Sequence, residues 1–296
     1  MIAYGWSTLA QFAISGLAVG CIYGLVGIGF VVIFNASGIV NFAQGSFVML
    51  GGMTAYALYT LGGLPLWLAA LLSPMVVAAL GFVLEATVIR PLWRRQAPLL
   101  VLILATLALQ VMLENGTMHG LGTDPHTFPA FGGSEPVRWG GVSVARQTFW
   151  IVGGSLALVA ALALFYRRTL TGQAMRACAV NREVAALLAI PVERMLAGSF
   201  ALSAALGAAA GVLITPTQYT AFHVALPFGI SGFVAAVIGG FGNATGAFVG
   251  GLILGVLESL AVVFIASGYK DVVTFVVLLA ILFFKPTGLF GSLVEE

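Results

Sequence analysis

"NASGIVNFAQGS", Asn35 to Ser46, lies inside an apolar region that runs from Phe12 to about Tyr59. It sets two asparagines, a glutamine, two serines and two glycines where lipid-facing helix wants none. Irregular backbone at membrane depth survives only where protein buries it or a water-filled cavity borders it. The stretch is therefore either a helix broken against a pathway or a tight polar turn at the membrane surface. A second stretch of the same kind, "GGFGNATG" (Gly239–Gly246), occupies the corresponding place in the other half of the chain. "VVIFNASGIVNFAQGSFVMLGG" (Val31–Gly52) and "AAVIGGFGNATGAFVGGLILG" (Ala235–Gly255) share one plan. Each has an apolar run, a Gly/Asn-bearing break, then Gly-x-Phe-Val and a further apolar run. Matching interrupted segments in two halves point to a transport path built from internal repeats.

The surroundings of these breaks are those of an integral membrane protein. Of 296 residues, 60% are hydrophobic and 7% charged, with a mean hydropathy of +1.09. A soluble domain carries about 25% charged residues to coat its surface. A net charge of +2 does not suit nucleic-acid binding. Apolar runs near 11–34, 44–60, 65–89, 98–115, 148–166, 195–215, 226–241, 245–266 and 271–285 read as helical spans of roughly 20 residues each. Each break could separate two spans or interrupt one, so eight or nine transmembrane segments are expected. Continuous apolar runs exclude a β-barrel, whose strands alternate. The expected fold is thus an all-α polytopic bundle with two Gly/Asn-interrupted helices in pseudo-repeated halves. It forms one transmembrane domain over 1–296, with halves 1–115 and 148–296 around an outer loop, 116–147.

No Lys or Arg precedes Arg90, which leaves no case for a cleaved signal peptide. Arg90, Arg94 and Arg95 form one basic cluster, and Arg167, Arg168, Arg176, Arg182 and Arg194 form another. The positive-inside rule places both in the cytoplasm and the 116–147 loop outside. Nine spans would put the amino terminus outside and the carboxyl terminus inside; with eight, one end flips.

Chemistry-bearing residues are few. Glu114, His119, Asp124, His126 and Glu135 gather in the outer loop without a standard ligand spacing, so a solvated loop and no metal is expected. Glu85 is expected at the interface. Glu258, within the run 245–266, is either a functional intramembrane carboxylate or a structural one facing protein; no His, Asp or Lys near it supports a proton relay. Neither Lys270 nor Lys285 completes a phosphate-cradling motif, so ATP, if used, binds another chain. No acid/base set supports an enzyme. Cys21 and Cys178 read as packing residues. Gly16, Gly20 and Gly24, and likewise Gly242, Gly246 and Gly250, recur at the spacing that lets helix backbones approach in lipid. For the path itself the expected residues are Asn35, Asn41, Phe42, Gln44 and Asn243. A helix starting near Asn41 would offer its free N–H groups to a passing carboxylate, with Asn41 and Gln44 as neutral hydrogen-bonding groups.

The most specific stretch is "TGQAMRACAVNREVAALLAIPVERMLAGSFALSAALGAAAGVL" (Thr171–Leu213), a basic amphipathic segment leading into an Ala/Gly-rich span. It resembles the ATPase-docking loop of bacterial ABC importer permeases. With "GLVGIGFVVIFNASGIVNFAQGSFVMLGG", "AAVIGGFGNATGAFVGGLILG" and "YKDVVTFVVLLAILFFKPTGLFG", it is similar to the branched-chain amino-acid permease family, LivH type, over essentially the whole chain. The resemblance implies a multi-pass permease of the bacterial or archaeal inner membrane. Its expected partners are a second related permease, two cytoplasmic ATP-binding subunits and an extracytoplasmic substrate-binding protein, with no cofactor in this chain. It also implies docking through 167–194, with the docking segment at Met175–Ile190, Arg176 among its arginines, and Asn181, Glu183, Ala185, Ala186 and Leu188 as its contact turn. The family usually has glycine where Ala189 stands and often histidine where Gln44 stands. Related permeases carry urea, short amides or carboxylates, and a secondary transporter or channel is the alternative of a different class.

Overall fold

The computed structural model describes residues 6–133, 135–139, 142–264 and 267–291. The chain is helical, as backbone in hydrocarbon must be to satisfy its own hydrogen bonds. In order come α1 (Trp6–Ser37), α2 (Gln44–Tyr56), α3 (Leu66–Leu84), α4 (Arg90–Arg94) and α5 (Leu99–Leu121). A small antiparallel hairpin, β1 (Val137–Trp139) and β2 (Val142–Val144), stands in the outer loop. Then follow α6 (Arg146–Arg168), α7 (Leu170–Val180), α8 (Arg182–Leu187), α9 (Val192–Gln218), α10 (Ala225–Gly239), α11 (Ala244–Phe264) and α12 (Lys270–Phe284). Seven helical stretches among the described residues are long and apolar enough to cross a membrane. The other two expected spans are α2, 13 residues before a π turn, and α12, 15 residues. At 1.5 Å per residue, α12 reaches only about 22 Å, short of a hydrocarbon core of about 30 Å.

Helix α1 is buried almost all round from Gly20 to Ile33, as a helix apolar on every face should be. Its main partner is α11, and the glycine periodicity explains how. Gly16, Gly20 and Gly24 face Gly255, Gly251 and Phe248 so closely that a methyl group at Gly20 would sit 2.8 Å from the Gly251 carbonyl oxygen. Gly246 and Gly250 serve a different neighbour, packing on Gly239 and Ala235 of α10. Helix α11 is therefore clamped on two faces by two sets of small residues. Helices α3, α5, α6 and α12 form the outside, with Leu71, Phe82, Leu104, Met112, Leu164 and Phe275 exposed on the surface of the chain.

The outer loop folds back over one end of the bundle. Phe128 and Phe131 are buried against Ala55 and Val212. The Gln147 side chain ties the loop to α9, accepting from Phe131 N at 2.9 Å and donating to the Leu213 carbonyl at 2.7 Å. His126 stacks on Tyr56, ring centroids 4.2 Å apart. Among the described residues, no three His, Cys, Asp or Glu side chains gather as a metal site.

Candidate functional site

The two breaks meet. Asn35, near the end of α1, donates to the Gly242 carbonyl at 2.9 Å, and the Phe34 and Phe241 rings stand edge to face at 4.7 Å. Phe233 of α10 joins them, 5.7 Å from Phe241, 5.8 Å from Phe30 and 5.9 Å from Phe42. Phe34, Phe42, Phe233 and Phe241 are each only half-buried, so an aromatic strip runs between the breaks at the protein surface.

The first break folds back into the bundle, and α2 then runs on to the opposite end, where Tyr56 meets His126. Gln44 opens α2 and is fully buried. Its amide donates to the Ser203 carbonyl at 3.3 Å, and the Ser203 hydroxyl is 2.6 Å from Gln44 Oε1 and 2.8 Å from the Gly29 carbonyl. Gly29 lies eight residues before the end of α1, about 12 Å at the helical rise. Residues 38–43 therefore climb back inside the bundle, and the surface-turn reading gives way to a broken element folded into the protein. Asn41, 1% exposed, holds the climb by accepting from Ala43 N at 3.1 Å; its Nδ2 has no partner among the described residues. Helix α2 begins three residues later than the sequence suggests. Its first turn is covered, because Gly45 packs on the Ala225 carbonyl and on Gly229. Phe42 is half-buried, as are Asn35 and Val40, and Gly38 is exposed; the Phe42 backbone N–H donates to Thr106 of α5 at 3.2 Å.

The second break takes another form. Gly240 and Gly242 have φ of +100° and +112°, values open to glycine, and turn the chain within four residues. Asn243 then caps α11, its Oδ1 accepting from Gly246 N at 2.9 Å, the usual work of an asparagine at that position. The carboxyl-terminal segment supplies the end of α10: Leu289 N and Phe290 N donate to the Ile238 and Gly239 carbonyls at 2.8 and 3.0 Å. The pair α10–α11 is a tight hairpin, whereas α2 leaves α1 to pack on α9. Asn35 and Asn243, two of the four amides expected on the path, are thus engaged with backbone. They also border a cavity of about 1210 Å³ that has Arg167, Arg176 and Thr287 in its lining.

The segment expected to dock an ATPase, 167–194, forms two short helices, α7 and α8, at the same end. Thr169 caps α7 by accepting from Gly172 N at 3.0 Å, and Asn181 caps α8 by accepting from Val184 N at 3.0 Å. Val180, Leu187 and Leu188 are 89%, 85% and 70% exposed, and Glu183 and Ala186 are exposed beside them. Ala185 points the other way and is buried. Arg176 faces the cavity. Arg182, the first residue of α8, reaches beneath the first break: a methyl group at Gly38 would lie 3.1 Å from its guanidinium. Burial there lowers the Arg182 pKa, and the arginine stands by the carboxyl end of α1, where positive charge is favoured.

Helix α8 ends in a Schellman turn, with Ile190 N donating to Ala185 O and Ala189 N to Ala186 O at 3.1 and 3.0 Å. Ala189 carries φ +60°, a conformation costing a side chain about 1–2 kcal/mol. Ala189→Gly should stabilise the loop by about 1 kcal/mol once glycine's extra chain entropy is set against that relief. Slower limited proteolysis of the 181–191 segment is the check.

Two carboxylates are placed differently from expectation. Glu85 is completely buried, not at the interface. The wide π turn Glu85–Ile89 sets residues five apart over one another, so Arg90 grips it with two bonds of 2.6 and 3.3 Å. Arg94 pairs with Glu193 at the base of α9, 2.5 Å away. Glu258 does have a lysine: Lys270 stands 3.4 Å off, Tyr23 OH donates at 2.8 Å and Thr274 also donates. These bonds pin the peripheral α12 to α1 and α11. Lys270→Met should lower the detergent unfolding midpoint by the equivalent of about 1–2 kcal/mol, less than a fully buried pair because the lysine is partly exposed. Adding Glu258→Leu should restore some of the loss.

A family model described as the permease component of branched-chain amino acid transport systems matches residues 12–282. A high-affinity branched-chain amino acid transport system permease protein, LivH of Salmonella typhimurium, is 32% identical over 95% of each chain. BraD of Pseudomonas aeruginosa, described in the same words, is 33% identical over 95% of each chain. A probable branched-chain amino acid transport permease protein of Methanocaldococcus jannaschii is 28% identical, covering 90% of this chain and 88% of its own. Among solved structures, PsaBC from Streptococcus pneumoniae in complex with Fab superposes with a TM-score of 0.55 at 12% identity. It covers 95% of this chain and 93% of that one, a likeness of fold alone.

Proposed function

Since this chain belongs to the family of branched-chain amino acid transport permease components, we propose that it forms half of the membrane path of an ABC importer for branched-chain or similar small amino acids. It is a multi-pass inner-membrane transport permease and not an enzyme. On this reading ATP is bound and hydrolysed by two separate cytoplasmic subunits. A second related permease and an extracytoplasmic binding protein complete the importer.

One observation carries the mechanism: α8 presents Leu187 and Leu188 to solvent while Arg182 at its other end lies beneath Gly38. A displacement of the docking helix by an ATPase therefore acts directly on the folded-back segment 38–43. That segment, through Phe42, borders the surface strip Phe34, Phe42, Phe233 and Phe241, which would face the second permease and give aliphatic cargo an apolar wall. Asn35, Asn41 and Asn243 hold this wall in place by bonding backbone at the two breaks, and Gln44 anchors the first break to Ser203 of α9. Neutral amides and aromatic rings let cargo leave again, since no fixed charge in the strip retains it.

The test is reconstitution of the chain with its co-encoded subunits and measurement of ATP hydrolysis against a panel of amino acids, amides and carboxylates. Stimulation by leucine, isoleucine or valine with their loaded binding protein is expected. Stimulation confined to amides or carboxylates would replace the cargo assignment.

A further inference from the structure

We infer that the 1210 Å³ crevice bounded by α1, α6, α7 and, on its far side, residues 241–245 and 286–291 binds one anionic phospholipid of the cytoplasmic leaflet, its phosphate held between Arg167 and Arg176. The crevice is amphipathic in the sense a lipid requires. Its α1–α6 wall is apolar, from Val31 and Val32 of α1 to Val159 and Leu162 of α6, while Asn243, Thr245 and Thr287 stand on the opposite side. Its rim carries Arg167, in the last turn of α6, and Arg176, on α7. Both arginines are exposed at the rim. Among the described residues neither meets a carboxylate within ion-pair distance; the three ion pairs there use Arg90, Arg94 and Lys270. No Asp or Glu enters the lining. Guanidinium groups bind phosphate oxygens in a fork, and basic pockets between helices on the cytoplasmic side of a membrane suit anionic headgroups.

Free amino acid fits the crevice less well. The volume far exceeds what one small amino acid fills, and the Asn35 and Asn243 amides at its edge are engaged with backbone. An acyl chain fills the apolar wall that a zwitterion would leave bare. The consequence is mechanical. One phosphate bridging Arg167 and Arg176 fastens the docking helix α7 to the membrane-spanning α6, steadying the loop on which an ATPase pushes. This inference does not depend on the cargo, and its test reads binding rather than transport.

The assembled protein is placed in nanodiscs of phosphatidylcholine containing increasing phosphatidylglycerol, and bound lipid is counted by native mass spectrometry. One phosphatidylglycerol per chain is expected. The double variant Arg167→Gln/Arg176→Gln should weaken its retention by about tenfold, a loss of about 1.4 kcal/mol, while Arg168→Gln, outside the lining, changes nothing. A second measurement keeps the wild-type arginines: Ala179→Cys, in the crevice wall, is labelled with a hydrophilic maleimide. Phosphatidylglycerol should slow labelling relative to phosphatidylcholine, and neither inorganic phosphate nor free leucine should do so. Unchanged lipid retention in the double variant, no protection by phosphatidylglycerol, or protection by phosphate or leucine would each overturn the assignment.

Discussion

Gly20→Leu should abolish recovery of folded protein, the largest effect expected of any single substitution in this chain. The α1–α11 crossing is the axis of the bundle, and at Gly20 the obstacles are backbone: the Gly251 oxygen at 2.8 Å and the Leu252 Cα at 2.9 Å from an added Cβ. Backbone cannot rotate aside as a side chain can. Overpacking an ordinary core costs about 1–3 kcal/mol. Here the remaining leucine atoms must also push α1 and α11 away from each other, exposing Ile22, Val26 and Leu254, which are now buried. The combined loss approaches the 5–15 kcal/mol that holds a typical domain folded. Gly153→Leu is the control, because nothing lies near that position on α6. Fluorescence-detected size exclusion should show a monodisperse peak for the control and none for Gly20→Leu. A wild-type unfolding temperature for Gly20→Leu would remove the crossing from the account.

The second large effect concerns assembly. Leu187→Asp with Leu188→Asp should leave the permease folded and remove its ATPase subunits. Both leucines are exposed, so the isolated chain loses little by the change, whereas an apolar anchor in a docking interface is worth about 2 kcal/mol or more when truncated. Two buried aspartates add a desolvation cost, and uptake should fall to background. Co-purification of the ATPase with the wild-type chain and its absence with the variant, at equal unfolding temperature, is the expected pair of results. Retained ATPase and normal uptake would move the docking site elsewhere. Ala185→Asp is a different experiment: that side chain is buried, and its failure would report on folding of the loop.

Much of the fold is readable in the sequence because its physics is local. Apolar runs, arginine clusters and the Gly-x-x-x-Gly spacing of α1 reflect constraints within a few residues of each other. What stays hidden depends on which helices become neighbours. The spacing of Gly16, Gly20 and Gly24 announces a close crossing without naming Gly251 and Gly255 as the other side. Lys270 is not legible as the partner of Glu258, because α11 and α12 must first be folded antiparallel to bring residues twelve apart together. The burial of Glu85 follows from a π turn, which leaves no compositional mark. Asn35, Asn41, Gln44 and Asn243 mark the breaks correctly, but an amide in a sequence does not disclose whether it bonds cargo or backbone. Ala185 and Leu188 look alike in a basic amphipathic loop, and the short α8 turns one inward and the other out. The glycine that the resemblance implies at position 189 has a physical reason in the positive φ of Ala189.

The coupling of the docking helix to the folded-back segment 38–43 is tested most directly by the reactivity of Phe42→Cys toward a hydrophilic thiol reagent in the assembled importer. The native cysteines are buried and serve as the background. Labelling is compared in the nucleotide-free and ATP-trapped states, with and without Arg182→Ala. Reactivity should differ by about tenfold between the two states, corresponding to a shift in exposed population of about 1.4 kcal/mol, and the difference should vanish when Arg182 is removed. Equal reactivity in both states of the wild-type arginine background would contradict a path that opens at Phe42 under the control of α8.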